Sequence, residues 1–159
     1  MSEVWPARVD QAAEVTRLLI AFRDWLGEDR PDDAAFAASV AQLLTDPSTE
    51  FLLGSVAAGT PASGVCQLRF RHSVWTSSPD CWLEDLYVEA EARGRGLGRA
   101  LVELAFERAG ARGARRIELD TNEDNGAAIA LYESLGFSAS SKAHGELRGR
   151  DVFMGRPLP

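Results

Sequence analysis

The apolar residues of this chain alternate between two spacings, and each change of spacing marks an element. Val4 to Arg8 predicts a short first strand. Asp10 follows as a helix N-cap, and Val15, Leu18, Leu19, Phe22 and Leu26 then recur at helical spacing until Gly27. Pro31-Asp32-Asp33 opens a second helix with the stripe Phe36, Val40, Leu43 and Leu44, and Pro47 lies just past its end. Phe51 to Ala57 is an apolar run bounded by Gly59-Thr60-Pro61. In Val65 to Arg71, Cys66, Leu68 and Phe70 alternate with Gln67, Arg69 and Arg71, so the two runs predict a hairpin. Ser77-Ser78-Pro79-Asp80 predicts a turn, and Trp82 to Val88 a third strand.

Beyond Val88 the pattern changes. Glu91 to Gly98 is basic and glycine-rich. Leu101, Leu104, Ala105 and Ala109 continue as a helix that stops near Gly110 or Gly113. Arg115 to Asp120 predicts a strand with Ile117 and Leu119 inward, and Asn125-Gly126 opens a helix carrying Ala128, Ile129, Leu131, Tyr132 and Leu135 up to Gly136. Phe137 onward and Asp151 to Met154 predict a closing pair of strands. The central strand-helix-strand run favours a parallel pair, whereas the earlier strands are antiparallel. The expected fold is α/β: a mixed, mostly antiparallel sheet with helices on both faces, in a single domain spanning 1–159.

Composition narrows the function classes. The 159 residues carry a formal net charge of -7, a poor basis for nucleic-acid binding, which needs a basic surface. An acidic surface suits a cationic small ligand. No apolar run reaches membrane-spanning length, and the N-terminus lacks the features of a secretory signal. Cys66 and Cys81 are too few for a disulfide framework and have no metal-ligand spacing, so a reduced, cytoplasmic setting without a metal is expected.

The chemistry concentrates at Val88 to Arg99, which follows a strand and opens a helix. The first helical turn has backbone N–H groups without internal partners and carries the positive end of the helix dipole. Glycine lets a phosphate approach that backbone, and Arg93, Arg95 and Arg99 add charge. The segment is neither a P-loop, since no Gly-Lys-Ser/Thr is present, nor a dinucleotide fingerprint, since its glycines fall at 94, 96 and 98.

Arg93-Gly94-Arg95-Gly96-Leu97-Gly98 resembles the pyrophosphate-binding motif of the GNAT superfamily of N-acetyltransferases, Gln/Arg-x-x-Gly-x-Gly/Ala. Asn125 to Phe137 resembles that family's Asn-x-x-Ala-Ile-x-Leu-Tyr-x-x-x-Gly-Phe segment, in the same order along the chain. Leu83-Glu84-Asp85-Leu86-Tyr87-Val88 is similar to the corresponding strand of the diamine acetyltransferase branch, where an acidic pair helps receive a polyamine.

The resemblance implies a sheet of six to seven strands with a splayed parallel pair in the middle. It implies acetyl-CoA as cofactor, coenzyme A as product and a primary amine as acceptor. The pantetheine arm would lie along the backbone of Leu86, Tyr87 and Val88, with the Val88 N–H facing the thioester oxygen. Arg93, Gly94, Arg95, Gly96, Leu97, Gly98 and Arg99 would hold the pyrophosphate.

Asn125 would contact the cofactor or simply cap its helix, and Tyr132 would protonate the leaving thiolate or serve as a core aromatic. Glu84 is the candidate base and Asp85 the second candidate. By simple alternation Trp82, Glu84, Leu86 and Val88 share one face, and a bulge would invert this. An ion pair with Arg69 or Arg71 is the alternative role for either acid. Trp75, Glu28 and Asp29 are further candidates for the acceptor side. Direct transfer in a ternary complex to a small cationic amine is the expected reaction. A protein amine as acceptor and a non-catalytic acyl-CoA-binding module are the alternatives. A homodimer is expected by resemblance.

Overall fold

A computed structural model describes residues 1–138 and 156–157. The chain divides into two compact units, Met1–Asp120 and Thr121–Pro159. The first holds β1 (Glu3–Pro6), α1 (Ala12–Trp25), α2 (Asp33–Leu44), β2 (Thr49–Ser55), β3 (Gly64–Ser73), β4 (Ser78–Val88), α3 (Leu97–Ala111) and β5 (Ile117–Glu118). In the second, the described residues form α4 (Gly126–Ser134).

The sheet runs in sequence order, β1-β2-β3-β4-β5. The first three pairings are antiparallel and the last, β4 with β5, is parallel. This is the mixed sheet that the spacing predicts, with five strands among the described residues. Phe137 and Ser138 belong to no strand, and the rest of the expected closing pair lies outside the described residues.

Three local expectations need correction. Asp10 does not cap α1. The chain enters through a 3₁₀ turn, Val9–Gln11, in which the Gln11 side chain accepts the Arg8 N–H at 3.0 Å and the Trp5 indole N–H at 3.3 Å. Asp10 instead accepts from Arg8 Nε at 3.1 Å. Secondly, Ser77 to Asp80 is not one turn, because β4 already starts at Ser78. Ser78 opposes Ser73 and Pro79 opposes His72, so the reversal sits just before, with Ser77 at a φ of 51°. A proline near the start of a strand is tolerated there. Thirdly, β5 pairs only at Ile117 and Glu118, not over the whole of Arg115 to Asp120.

Two apolar layers flank the sheet. Phe51, Leu53, Val65 and Tyr87 point to one face and cluster with Val15, Leu18 and Leu19 of α1 and Val40 of α2. Asp32 caps α2 by accepting the Ala35 N–H at 2.8 Å. The opposite face receives α3, whose Leu97, Leu101, Val102 and Ala105 are buried. Gly54 of β2 and Gly64 of β3 are cross-strand partners, and together they leave a flat spot on that face. A Cβ on Gly54 would lie 2.7 Å from Leu97 Cδ1 and 3.1 Å from Val4 Cγ1. One on Gly64 would lie 2.9 Å from Leu101 Cδ1. The first residue of α3 is therefore seated where two side chains are missing, and this seat fixes the start of the helix over the sheet.

Gly54→Val is expected to lower stability by about 1–3 kcal/mol through overpacking, read from urea unfolding. Leu97→Ala in the same background is expected to recover part of that loss, because the two changes meet in one contact.

Candidate active site

β4 carries the site because it changes partners midway. Cys81 and Trp82 pair with Ile117 and Glu118 of β5, and the Cys81 N–H reaches Arg116 O at 2.9 Å. From Leu83 to Val88 no pairing with β5 continues. The other edge stays bonded to β3 as far as Glu89, whose N–H reaches Ser63 O at 2.9 Å. Backbone groups along a strand point alternately to its two edges. With Glu89 turned to β3, the N–H and C=O groups of Val88 and Leu86 face the open edge.

A bulge interrupts β4 at the acidic pair. Gln67 opposes Asp85 and the next residue, Leu68, opposes Leu83, so Glu84 is the extra residue. This breaks the simple alternation. Val88, Leu86 and Leu83 lie on the α3 face, while Tyr87, Asp85 and Trp82 lie on the α1–α2 face. Trp82 and Leu86 thus do not share a face, and Glu84 cannot be assigned to the side of Val88 by counting.

The two acids differ in surroundings. Glu84 is exposed and Asp85 half-buried. Burial pushes the Asp85 carboxyl up to about 6, and the nearby charges of Glu84 and Asp120 push in the same direction. Among the described residues neither acid is ion-paired, so the alternative of a partner in Arg69 or Arg71 finds no support.

Where β4 ends, the chain makes a 3₁₀ turn, Ala90–Ala92, and then runs through Arg93 to Gly96 into α3. Gly94 and Gly96 have φ of 74° and 82°, the left-handed region that favours glycine, and Gly96 is the N-cap of α3. A Cβ on either would meet no heavy atom within 4 Å, so these glycines leave open space on the solvent side. Arg95 and Arg99 are exposed there. The N–H groups of the first helical turn, from Leu97 onward, have no partner within the helix. An open turn of backbone donors beside the open edge of a strand suits an elongated cofactor with phosphates at one end and amides along its arm.

Arg17 of α1 holds this corner together. It donates to Glu89 Oε1 and to Ala62 O, both at 2.6 Å, while Glu14 accepts the Ala62 N–H at 2.7 Å. Neither residue carries a motif, and the sequence gives no sign of the link. Gly54 and Gly64 were detectable in principle, since glycine inside an apolar strand signals close approach.

The remaining candidates are scattered or stand apart. Glu28 and Asp29 are exposed between α1 and α2, and Trp75 is exposed at the tip of the β3–β4 hairpin. In the second unit Asn125 Oδ1 accepts the Ala128 N–H at 3.2 Å, so it does cap α4. Tyr132 is buried in α4, with its ring edge-on to Phe137 at 5.6 Å. Both cysteines are buried, and burial lifts their thiols far above the ordinary range, that of Cys81 to about 12. A thiolate nucleophile is thus disfavoured. Among the described residues no cluster of His, Cys, Asp or Glu suits a metal ion, and no helix is long and apolar enough to cross a membrane.

Comparison with known proteins bears on what occupies this arrangement. Mycothiol acetyltransferase of Beutenbergia cavernae is 44% identical over 69 residues, 42% of this chain and 23% of that protein. Thialysine N-epsilon-acetyltransferase of Sus scrofa is 34% identical over 76 residues, 48% of this chain and 44% of that protein. The chain thus spans less than half the length of either curated relative. A proposed acetyltransferase from Arthrobacter sp. FB24 superposes with a TM-score of 0.84 at 26% identity, covering 98% of this chain and 96% of that one. The family model for the acetyltransferase (GNAT) family matches residues 13–137, most of the chain, and this protein belongs to that family, whose members use acetyl-CoA.

Proposed function

We propose that the protein transfers an acetyl group from acetyl-CoA to the primary amine of a small cationic acceptor, directly and in a ternary complex. The observation that carries this reading is Asp85. It is a half-buried carboxyl with a raised pKa, next to the bulge in the stretch of β4 that β5 leaves and on the face opposite α3. Acetyl-CoA, when bound, supplies an activated thioester. The turn from Gly94 to Arg99 would hold its phosphates, and the open-edge groups of Leu86 and Val88 its arm. The Val88 N–H would stabilise charge that develops on the carbonyl oxygen.

The acceptor arrives as an ammonium and must lose a proton. A base works best with a pKa near the operating pH, and Asp85 at about 6 is closer to it than an ordinary aspartate. Asp85 therefore takes the role of base, with Glu84 and Asp120 adding negative potential that attracts the cation. That potential suits a small cationic amine. Asn125 caps its helix and is retained as a cofactor contact by resemblance. Tyr132 is retained on the same ground as the donor of a proton from its phenol oxygen.

Gly96→Ala places a side chain in the left-handed region, which costs about 1–2 kcal/mol, and coenzyme A binding measured by calorimetry is expected to weaken about tenfold. Asp85→Asn is expected to lower kcat/KM by a factor on the order of 10² to 10⁴, with Glu84→Gln much milder. In the parent enzyme the acid limb of the kcat/KM profile should turn near pH 6, and Asp85→Asn should remove it. The same substitution should stabilise the protein at pH 8 relative to pH 4. The raised carboxyl pKa favours folding below the unfolded value near 4, and that contribution is lost as the pH rises through about 6. A pH-independent difference in Tm would contradict this. Tyr132→Phe should reduce turnover while leaving acetyl-CoA affinity within about threefold, and unchanged turnover would remove Tyr132 from the reaction.

A further inference from the structure

Arg93 opens the glycine turn, and its charge suits a phosphate. Its side chain points elsewhere. Nε donates to Val88 O at 2.9 Å, and the guanidinium carbon lies 5.2 Å from the ring centroid of Trp25 and 5.8 Å from that of Tyr87. Phe22, one helical turn before Trp25, stacks on it at 6.1 Å and meets Tyr87 at 5.2 Å. The guanidinium therefore closes a stack built from the end of α1, the end of β4 and the turn itself. Among the described residues no carboxylate pairs with it.

The bond to Val88 O has a specific consequence. Val88 C=O and Glu89 N–H belong to one peptide unit. Ser63 holds the N–H from the β3 side, and Arg93 holds the C=O from the open edge. The plane of that peptide is pinned from both directions, and Arg17 secures the Glu89 side chain beside it. The other arm of the same guanidinium contact lies on the face that carries Asp85. Trp25 is half-exposed there, and Tyr87 is two residues from Asp85 on the same side of β4. A flat cation on aromatic rings with one N–H committed to a carbonyl is a geometry that arginine can hold and lysine cannot.

We propose that Arg93 is a positioning residue of the transfer site and not a phosphate ligand: it fixes the last peptide of β4 and the Phe22–Trp25–Tyr87 wall in one arrangement, and so sets where the amine stands relative to the open edge. The proposal rests on the reading that the turn binds coenzyme A and that the amine arrives on the Asp85 face. It ties the two halves of the site through one side chain. Trp25 thereby becomes part of the acceptor wall, although it lies far in sequence from every motif.

The test uses the full chain, acetyl-CoA and the best acceptor from an amine panel. Arg93→Ala is expected to lower kcat about tenfold or more and to raise the KM of the amine, with the calorimetric Kd for coenzyme A changed less than about threefold. Arg93→Gln keeps a donor for Val88 O and should recover part of kcat, whereas Arg93→Lys should not. Trp25→Ala should affect the amine KM, and the double variant with Arg93→Ala should be no worse than the more impaired single variant. Coenzyme A binding weakened tenfold, with kcat intact at saturation, would make Arg93 a phosphate ligand and overturn the proposal. So would unchanged kcat and KM. Gly96→Ala separates the two readings: if it leaves coenzyme A binding unaltered, the turn is not the cofactor site, whatever Arg93 does.

Discussion

β4 cannot satisfy two neighbours along its whole length, and the site exists because of that. On one edge β3 holds it from Ser78 to Val88, and on the other β5 holds only Cys81 and Trp82. Unpaired backbone groups in the middle of a sheet are unfavourable unless something else bonds them. Here β5 stops short of Leu86 and Val88, at the end of the strand that feeds the start of α3, and Arg93 Nε reaches Val88 O from that edge. An extended ligand bearing amides can complete the edge as a short neighbouring strand would. The seat of Leu97 on Gly54 and Gly64 then decides where the phosphate end of such a ligand would lie, because it fixes the first turn of α3 over the same strands.

The bulge at Glu84 reconciles two demands on β4. Leu83 must face α3 beside Leu68, and Tyr87 must face α1 beside Val65. They are four residues apart, and in a regular strand they would share a face. One extra residue is required between them. Asp85 shares the side of Tyr87 by ordinary alternation, while the extra residue turns Leu83 to the α3 face and leaves Glu84 exposed at the kink. Burial against this face, with two other carboxylates near, pushes the Asp85 carboxyl up. The identity of the candidate base is thus a consequence of core packing on both sides of the strand.

Much of this was legible in the sequence. The alternation in Val65 to Arg71 defined β3, and the glycines at 94, 96 and 98 marked the turn into α3. The helical spacing of α1 and α2 was equally plain. The position of the bulge was not legible, because both faces of β4 are apolar and periodicity cannot count a residue that belongs to neither. The turn at Ser77 to Asp80 was misplaced because Ser-Pro-Asp is turn chemistry, yet pairing with His72 and Ser73 overrides it. Asp10 does not cap α1 because its carboxylate accepts from Arg8 Nε, while the Gln11 side chain reaches back to the Arg8 N–H and the Trp5 indole. Arg17 and Trp25 were invisible for another reason: their partners, Glu89, Tyr87 and Arg93, are distant in the chain, and nothing local announces them.

The charges of the site follow one logic. On the α3 side the chain presents backbone N–H groups and the exposed Arg95 and Arg99, a positive setting suited to phosphates. On the α1–α2 side it presents Asp85 with Glu84 and Asp120 close by, a negative setting suited to an ammonium. Holding these carboxylates together is unfavourable for the folded chain at neutral pH, since like charges and burial both resist ionisation. The sheet resists that strain because its centre is fully packed, with Leu52, Leu53, Val65, Cys66 and Leu68 completely buried. A carboxyl whose pKa is raised toward neutrality costs the fold stability at neutral pH while it becomes a better base. The acid therefore sits on β4 against the packed strand β3.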